Sequence, residues 1–404
     1  MDIFRWLRIC FFNLLLVATL GILLRYKIAF SLPFIDQKNV LHSHSHFAFT
    51  GWVTQTLLVL MVYYLQQQQL SNAFKKYKIL LLLNLFSAYG MLISFILQGY
   101  ALFSISFSTL SIFTAFVFAY RYWKDLNRLP NAGISHYWFK AALVFNVLSS
   151  LGAFSLAALM ITKLASQKLY LSSVYYFLHF QYNGWFFFAG MGLFFYVIKM
   201  QADKHTKKIF WLFVVSCVPA YFLSILWAAI HPLLYFVVVL AALTQTTAWI
   251  LFVQLILKNI TAIKNKFTKY SHWLLALSGI ACSIKITLQL FSVIPYLSKL
   301  AFGFRPIVIG YLHLVLLGVI TLFLLGYIVS QQIIKISRGT KMGIGIFVGG
   351  IFLNELLLMI QGVAAISSTM IPFLNEALLA AAITLFSGIL VLNFSLKKQP
   401  LTTD

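Results

Sequence analysis

Apolar stretches of about twenty residues recur along this chain, and the short gaps between them hold nearly all of its charge. A helix that crosses a hydrocarbon core about 30 Å thick needs roughly 20 predominantly apolar residues. Twelve runs meet that length, at approximately 9–28, 42–65, 78–98, 100–120, 139–162, 173–198, 209–230, 232–257, 271–294, 307–330, 342–365 and 372–394. A continuous helix from 209 to 257 would overrun the bilayer, so the chain must turn there, and Pro232 stands where the turn is needed. The first run follows Arg5 and Arg8 as a signal peptide would, but it is too long and closes on Arg25 and Lys27, so it counts as a span. Neither a soluble domain nor a sequence repeat is expected.

Composition agrees with this reading. Only 9% of residues are charged, where soluble domains carry about a quarter. Seven acidic residues stand against thirty Lys and Arg, too few for a mixed-charge surface facing water. A net charge of +23 on one soluble face would point to nucleic acid, but here the basic residues sit in clusters between apolar runs. With the N-terminus inside, the cytoplasmic segments hold twenty-two of the thirty and the outer segments seven: Arg25, Lys27, Lys38, Lys163, Lys168, Lys299 and Arg305. Positive charge is retained on the cytoplasmic side, so this split supports an even number of spans with both termini inside. The expected fold is an all-α integral membrane protein, a twelve-transmembrane-helix bundle forming one polytopic domain over residues 1–404. Nucleic acid is excluded as a partner, and the lipid bilayer is the first one. Cys10, Cys217 and Cys282 all lie within apolar runs and form no CxxC spacing, which excludes a disulfide framework and covalently attached haem.

The nine histidines fall into two groups on this topology. His136, His205 and His272 lie at inner ends among lysines and aromatic residues. His42, His44 and His46 open span two, His179 lies about two turns into span six, His231 ends span seven, and His313 lies about two turns into span ten. Six histidines from four helices therefore share one outer-leaflet stratum. Imidazole is the commonest ligand for haem iron and copper, and metal sites in bundles are built from facing helices. His42 and His46 lie on one helical face and His44 is turned by about 200°. The deepest of the three, His46, is the favoured axial ligand, with His42 as the second choice. Lys285 lies in the middle of span nine, Glu355 midway through span eleven and Glu376 near the outer start of span twelve. Each must face the bundle interior, pair or neutralise; Lys285 serves either a proton path or a pairing with Glu355.

Twelve spans with inside termini, outer histidines on spans two, six, seven and ten, and a lysine in span eight or nine resemble the catalytic subunit I of haem-copper oxidases and nitric oxide reductases. The segment Gly310-Tyr311-Leu312-His313-Leu314-Val315-Leu316-Leu317-Gly318 looks like that family's helix-ten stretch. His46-Phe47-Ala48-Phe49-Thr50-Gly51-Trp52-Val53-Thr54-Gln55 looks like its helix-two ligand segment, with Thr50, Thr54 and Gln55 at a macrocycle edge. The chain also departs from the pattern. Tyr311 stands where the active-haem histidine would be, and His231 is single and followed by Pro232. Asn183 occupies the tyrosine position four residues after His179, with Tyr182 one earlier.

The resemblance implies haem b between His46 and His313, with Arg305 near its propionates. It implies copper or non-haem iron on His179 and His231, with His42 or His44 as a third ligand. Tyr311, Tyr182 and Lys285 take the catalytic and proton-handling positions, although proton pumping is not expected. The implied partners are a cytochrome or quinol electron donor and further respiratory subunits, and the implied reaction is reduction of oxygen or nitric oxide at the outer side of a bacterial cytoplasmic membrane. The NnrS-like proteins linked to nitric oxide stress are the second resemblance. The alternatives are a non-catalytic b-type haem protein for electron transfer, gas sensing or metal handling, and, ranked last, an ion transporter.

Overall fold

Lipid offers backbone groups no hydrogen bonds, so an apolar run that crosses it must satisfy its own N–H and C=O groups, and helix is the single-segment solution. The computed structural model describes residues 2–68, 70, 72–130, 133–162, 166–228 and 230–400; Lys163 of the charge count lies outside them. In chain order the long helices are α1 (Ile3–Ala29), α2 (Gln37–Gln67), α3 (Ala73–Gln98), α4 (Leu102–Leu126), α5 (Ile134–Thr162), α6 (residues 167–198), α7 (Lys204–Cys217), α8 (Pro232–Lys258), α9 (Lys269–Phe291), α10 (Arg305–Ser330), α11 (Arg338–Ile366) and α12 (Leu374–Ser395). Among the described residues the only β pairing is an isolated antiparallel bridge between Ile334 and Lys398. Among the described residues, ten of the helices, all but α6 and α7, are long and apolar enough to cross a membrane. Taken with Pro219–Ile225 as one broken span, α7 makes an eleventh. The protein is an all-α integral membrane protein.

Short polar residues start these helices by accepting their first N–H groups. Asp2 accepts from Arg5 N at 3.0 Å, Asp36 from Asn39 N at 2.8 Å and Asp203 from Thr206 N at 2.7 Å. The acidic side chains are few, and three of the seven are helix caps. Gly99, at φ +62°, ends α3 and lets α4 begin at Leu102, a reversal that a residue with a Cβ would resist. Pro232 opens α8 with His231 as its cap, so the turn falls where the sequence places it.

One span departs from expectation. The apolar run 209–230 reads as a single helix, but α7 stops at Cys217 and the chain continues as a 3₁₀ segment, Pro219–Ile225, bent by 44°. The physical cause is Pro219, which lacks an N–H and crowds the carbonyl four residues earlier. Hydropathy alone does not register it.

The chain divides into two compact units, one comprising Met1–Phe118 with Ile328–Asp404 and the other Ala119–Tyr327. In the first, α1 packs on α12 and α12 on α11. Asn393 Nδ2 donates to Phe11 O at 3.1 Å, and Lys398 pairs with Asp2 at 3.1 Å. In the second, α5 packs on α6, and α9 on α8 and on the middle of α10.

Candidate functional site

Among the described residues, three helices carry a widened turn. α2 is π-helical over Ala48–Thr54, α6 over Phe180–Phe186 and α10 over Leu314–Thr321. A π turn is rare and gathers at functional sites. Each of these follows a histidine singled out above: His179 and His313 immediately precede theirs, and His46 lies two residues before the first. Each also contains a glycine five residues after that histidine, at Gly51, Gly184 and Gly318. The stretches His46-Phe47-Ala48-Phe49-Thr50-Gly51-Trp52 and His179-Phe180-Gln181-Tyr182-Asn183-Gly184-Trp185 agree at His, Phe, Gly and Trp. The π turns bring this short local likeness into register.

A π turn tilts carbonyls out of the helical ladder, and in lipid they need other donors. In the first unit Asn13 Nδ2, from α1, donates to Gly51 O at 2.6 Å, and Tyr89 Oη donates to Asn13 Oδ1 at 2.6 Å. Asn84, from α3, donates to Thr50 O at 3.2 Å and to Gln55 Oε1 at 2.7 Å. Gln55 is thus engaged with Asn84. In the second unit Ser278 Oγ, from α9, donates to Val319 O at 2.7 Å. Sequence reasoning missed Asn13, Asn84 and Ser278, whose signal is a polar residue in the middle of an apolar run.

The three histidines of α2 separate as their spacing predicts. His42 and His46 face the end of α3. The ring of His46 stacks on Phe95 at 4.4 Å and its Nε2 shares a hydrogen bond with Tyr100 Oη at 2.9 Å. His42 meets the edge of Tyr100 at 4.6 Å between ring centres, and its buried Nε2 has no hydrogen-bond partner. His44 faces α1 and donates from Nδ1 to Val17 O at 3.1 Å.

In the second unit His179 is buried with both ring nitrogens engaged. Nε2 donates to Cys217 O at 2.8 Å, and Nδ1 accepts from Asn183 Nδ2 at 3.0 Å. Beside it is a small cavity, with about 10 Å³ of water-accessible space, bordered by His179, Asn183, Cys217, Gln245 and Lys285. That is room for about one water. Lys285 is only 5% exposed, and Asn183 Oδ1 is buried without a partner. Tyr182 and Tyr311 come together edge to face at 6.3 Å. His313 donates from Nδ1 to Ile309 O at 2.9 Å. His231 is exposed and accepts from Leu233 N at 3.3 Å as a helix cap; Arg305 is exposed at the start of α10.

Glu355, in the first unit, accepts from Asn354 Nδ2 at 3.1 Å, and Glu376 is exposed in the first turn of α12. Among the described residues, no three His, Cys, Asp or Glu side chains gather closely enough to hold a metal ion. No known family model matches the chain, and no curated protein matches it.

Proposed function

We propose that this is a haem-binding membrane redox protein of the haem-copper oxidase subunit I type. In this reading α6 and the broken α7 join the ten apolar helices as crossings, giving twelve, with both termini on the cytoplasmic side of a bacterial cytoplasmic membrane. Residues 167–198 are long enough, roughly 48 Å at 1.5 Å per residue. Their hydropathy is lowered by the polar centre around His179, Gln181 and Asn183.

One observation carries the haem reading. His44 and His313 each donate from Nδ1 to a backbone carbonyl, Val17 O and Ile309 O. That fixes the ring and leaves the neutral imidazole's lone pair on Nε2, the form in which histidine ligates iron or copper. His46, the ligand that the resemblance implies, has its Nε2 engaged by Tyr100, so this reading places its neighbour His44 as the ligand on α2. A bound b-type haem supplies one-electron chemistry at its iron. The chain's own contribution is to hold the two imidazoles in one tautomer and to exclude water from them with apolar helices. The electron donor is a cytochrome or a quinol, and the substrate of a catalytic form is oxygen or nitric oxide.

A second reading, a haem protein without catalysis that serves electron transfer or gas sensing, is favoured by His179 and His231. Both nitrogens of the first are engaged within the protein, and the second is exposed at a helix cap. The test is a reduced-minus-oxidised absorption spectrum of the detergent-purified protein with iron and copper analysis. A bis-imidazole haem b band is expected, lost in His44→Ala and in His313→Ala and retained in His46→Ala. Carbon monoxide binding to the reduced protein separates catalysis from electron transfer. Purified protein without iron overturns both readings.

A further inference from the structure

One face of α2 and the reversal at the end of α3 enclose a cluster that the haem reading leaves unused. Asn39, His42 and His46 stand at i, i+3 and i+7, on one side of the helix. The left-handed Gly99 turns the chain so that Tyr100 comes over that face. Asn39 lies against the turn: a Cβ on Gly99 would sit 2.5 Å from its Oδ1. Tyr100 Oη then meets His46 Nε2 at 2.9 Å, and the Tyr100 ring meets His42 at 4.6 Å. Phe95 closes the floor by stacking on His46 at 4.4 Å with an interplanar angle of 20°. Within this aromatic enclosure His42 Nε2 is buried and has no hydrogen-bond partner. Buried polar atoms are nearly always satisfied, and leaving one bare is unfavourable.

We propose that His42, His46 and Tyr100 bind a borderline divalent cation, copper(II) or zinc(II). Two histidines four residues apart on a helix can ligate one ion from the same face. Imidazole suits both metals, and copper(II) binds nitrogen and oxygen sites most tightly of the first-row divalent ions. The ion takes the place of the proton shared between His46 Nε2 and Tyr100 Oη. That proton leaves to water, Tyr100 binds as phenolate, and no electron is transferred. The site uses neither His44 nor His313, so it stands or falls separately from the haem.

The test uses the full chain in detergent, stripped with a chelator and titrated with copper(II) sulfate. Electron paramagnetic resonance of the wild type should show one copper per chain with hyperfine coupling to two imidazole nitrogens. One proton should be released per ion, and copper(II) should displace bound zinc(II). His42→Ala and His46→Ala should each weaken copper binding at least tenfold, and Tyr100→Phe should abolish the proton release while both nitrogens remain. His44→Ala and His313→Ala, which remove the proposed haem ligands, should leave copper binding unchanged. A single-nitrogen spectrum in the wild type, or wild-type affinity in His42→Ala, overturns the proposal. The nitrogen count needs no variant to fold.

Discussion

Asn13 Nδ2 donates to the Gly51 carbonyl at 2.6 Å, reaching from α1 into the π turn of α2. Its own Oδ1 accepts from Tyr89 at 2.6 Å. Replacing it by leucine leaves a buried carbonyl and the phenol without their partner, so Asn13→Leu should destabilise the protein by about 1–3 kcal/mol. Tyr89→Phe, which removes only the second bond, should cost about 1 kcal/mol. Thermal unfolding in detergent reads both, and an Asn13→Leu protein that melts like the wild type would show that the π turn needs no outside donor.

Gly184 lies in the π turn of α6, where an added Cβ would sit 2.6 Å from Phe145 Cβ on α5. Gly184→Ala should therefore overpack the α5–α6 contact and cost about 1–3 kcal/mol. A double-mutant cycle checks the cause: Phe145→Leu should relieve part of the penalty. Strictly additive effects of the two changes would locate the strain elsewhere.

Lys285 is buried, and no Asp or Glu is among the described residues bordering its cavity. A buried ammonium without a carboxylate is unfavourable, and an apolar side chain of similar volume often matches or improves on such a charge. Lys285→Met should leave thermal stability unchanged or raise it by about 1–3 kcal/mol. A clear drop in melting temperature would mean that the ammonium is paired.

The Asp203 carboxylate caps α7, and its hydrogen bond from the Thr206 N–H holds its pKa below the ordinary value of 3.8. A carboxyl lowered on folding stabilises the native state above its unfolded pKa. That contribution fades as pH falls below about 3.8 and is gone once the folded group protonates. Asp203→Ala should cost about 0.5–1 kcal/mol at pH 6, and the difference from the wild type should shrink as the pH drops toward 2. Unfolding compared at the two pH values decides it, and a difference independent of pH would assign the effect to packing.

Hydropathy made most of the helices legible because each is an unbroken apolar run. Residue spacing also put His42 and His46 on one face and His44 on another, as found. The π turns escaped that reasoning because widening a turn by one residue changes neither composition nor mean hydropathy. The bend at Pro219 escaped it too, since a single proline scarcely lowers the hydropathy of the run 209–230. Nor did spacing show that the His44 ring meets a carbonyl of α1, because Val17 is far away in sequence.

The first unit is assembled from both halves of the chain, with α1 against α12 and Lys398 paired with Asp2, whereas the second is contiguous. Domains emerge from the ribosome in chain order. During biosynthesis α1 to α3 enter the bilayer first but must wait, with their partner faces exposed to lipid or to the insertion machinery, until α11 and α12 are made. The contiguous unit finishes ahead of them, so the part of the molecule that begins first is the last to be completed.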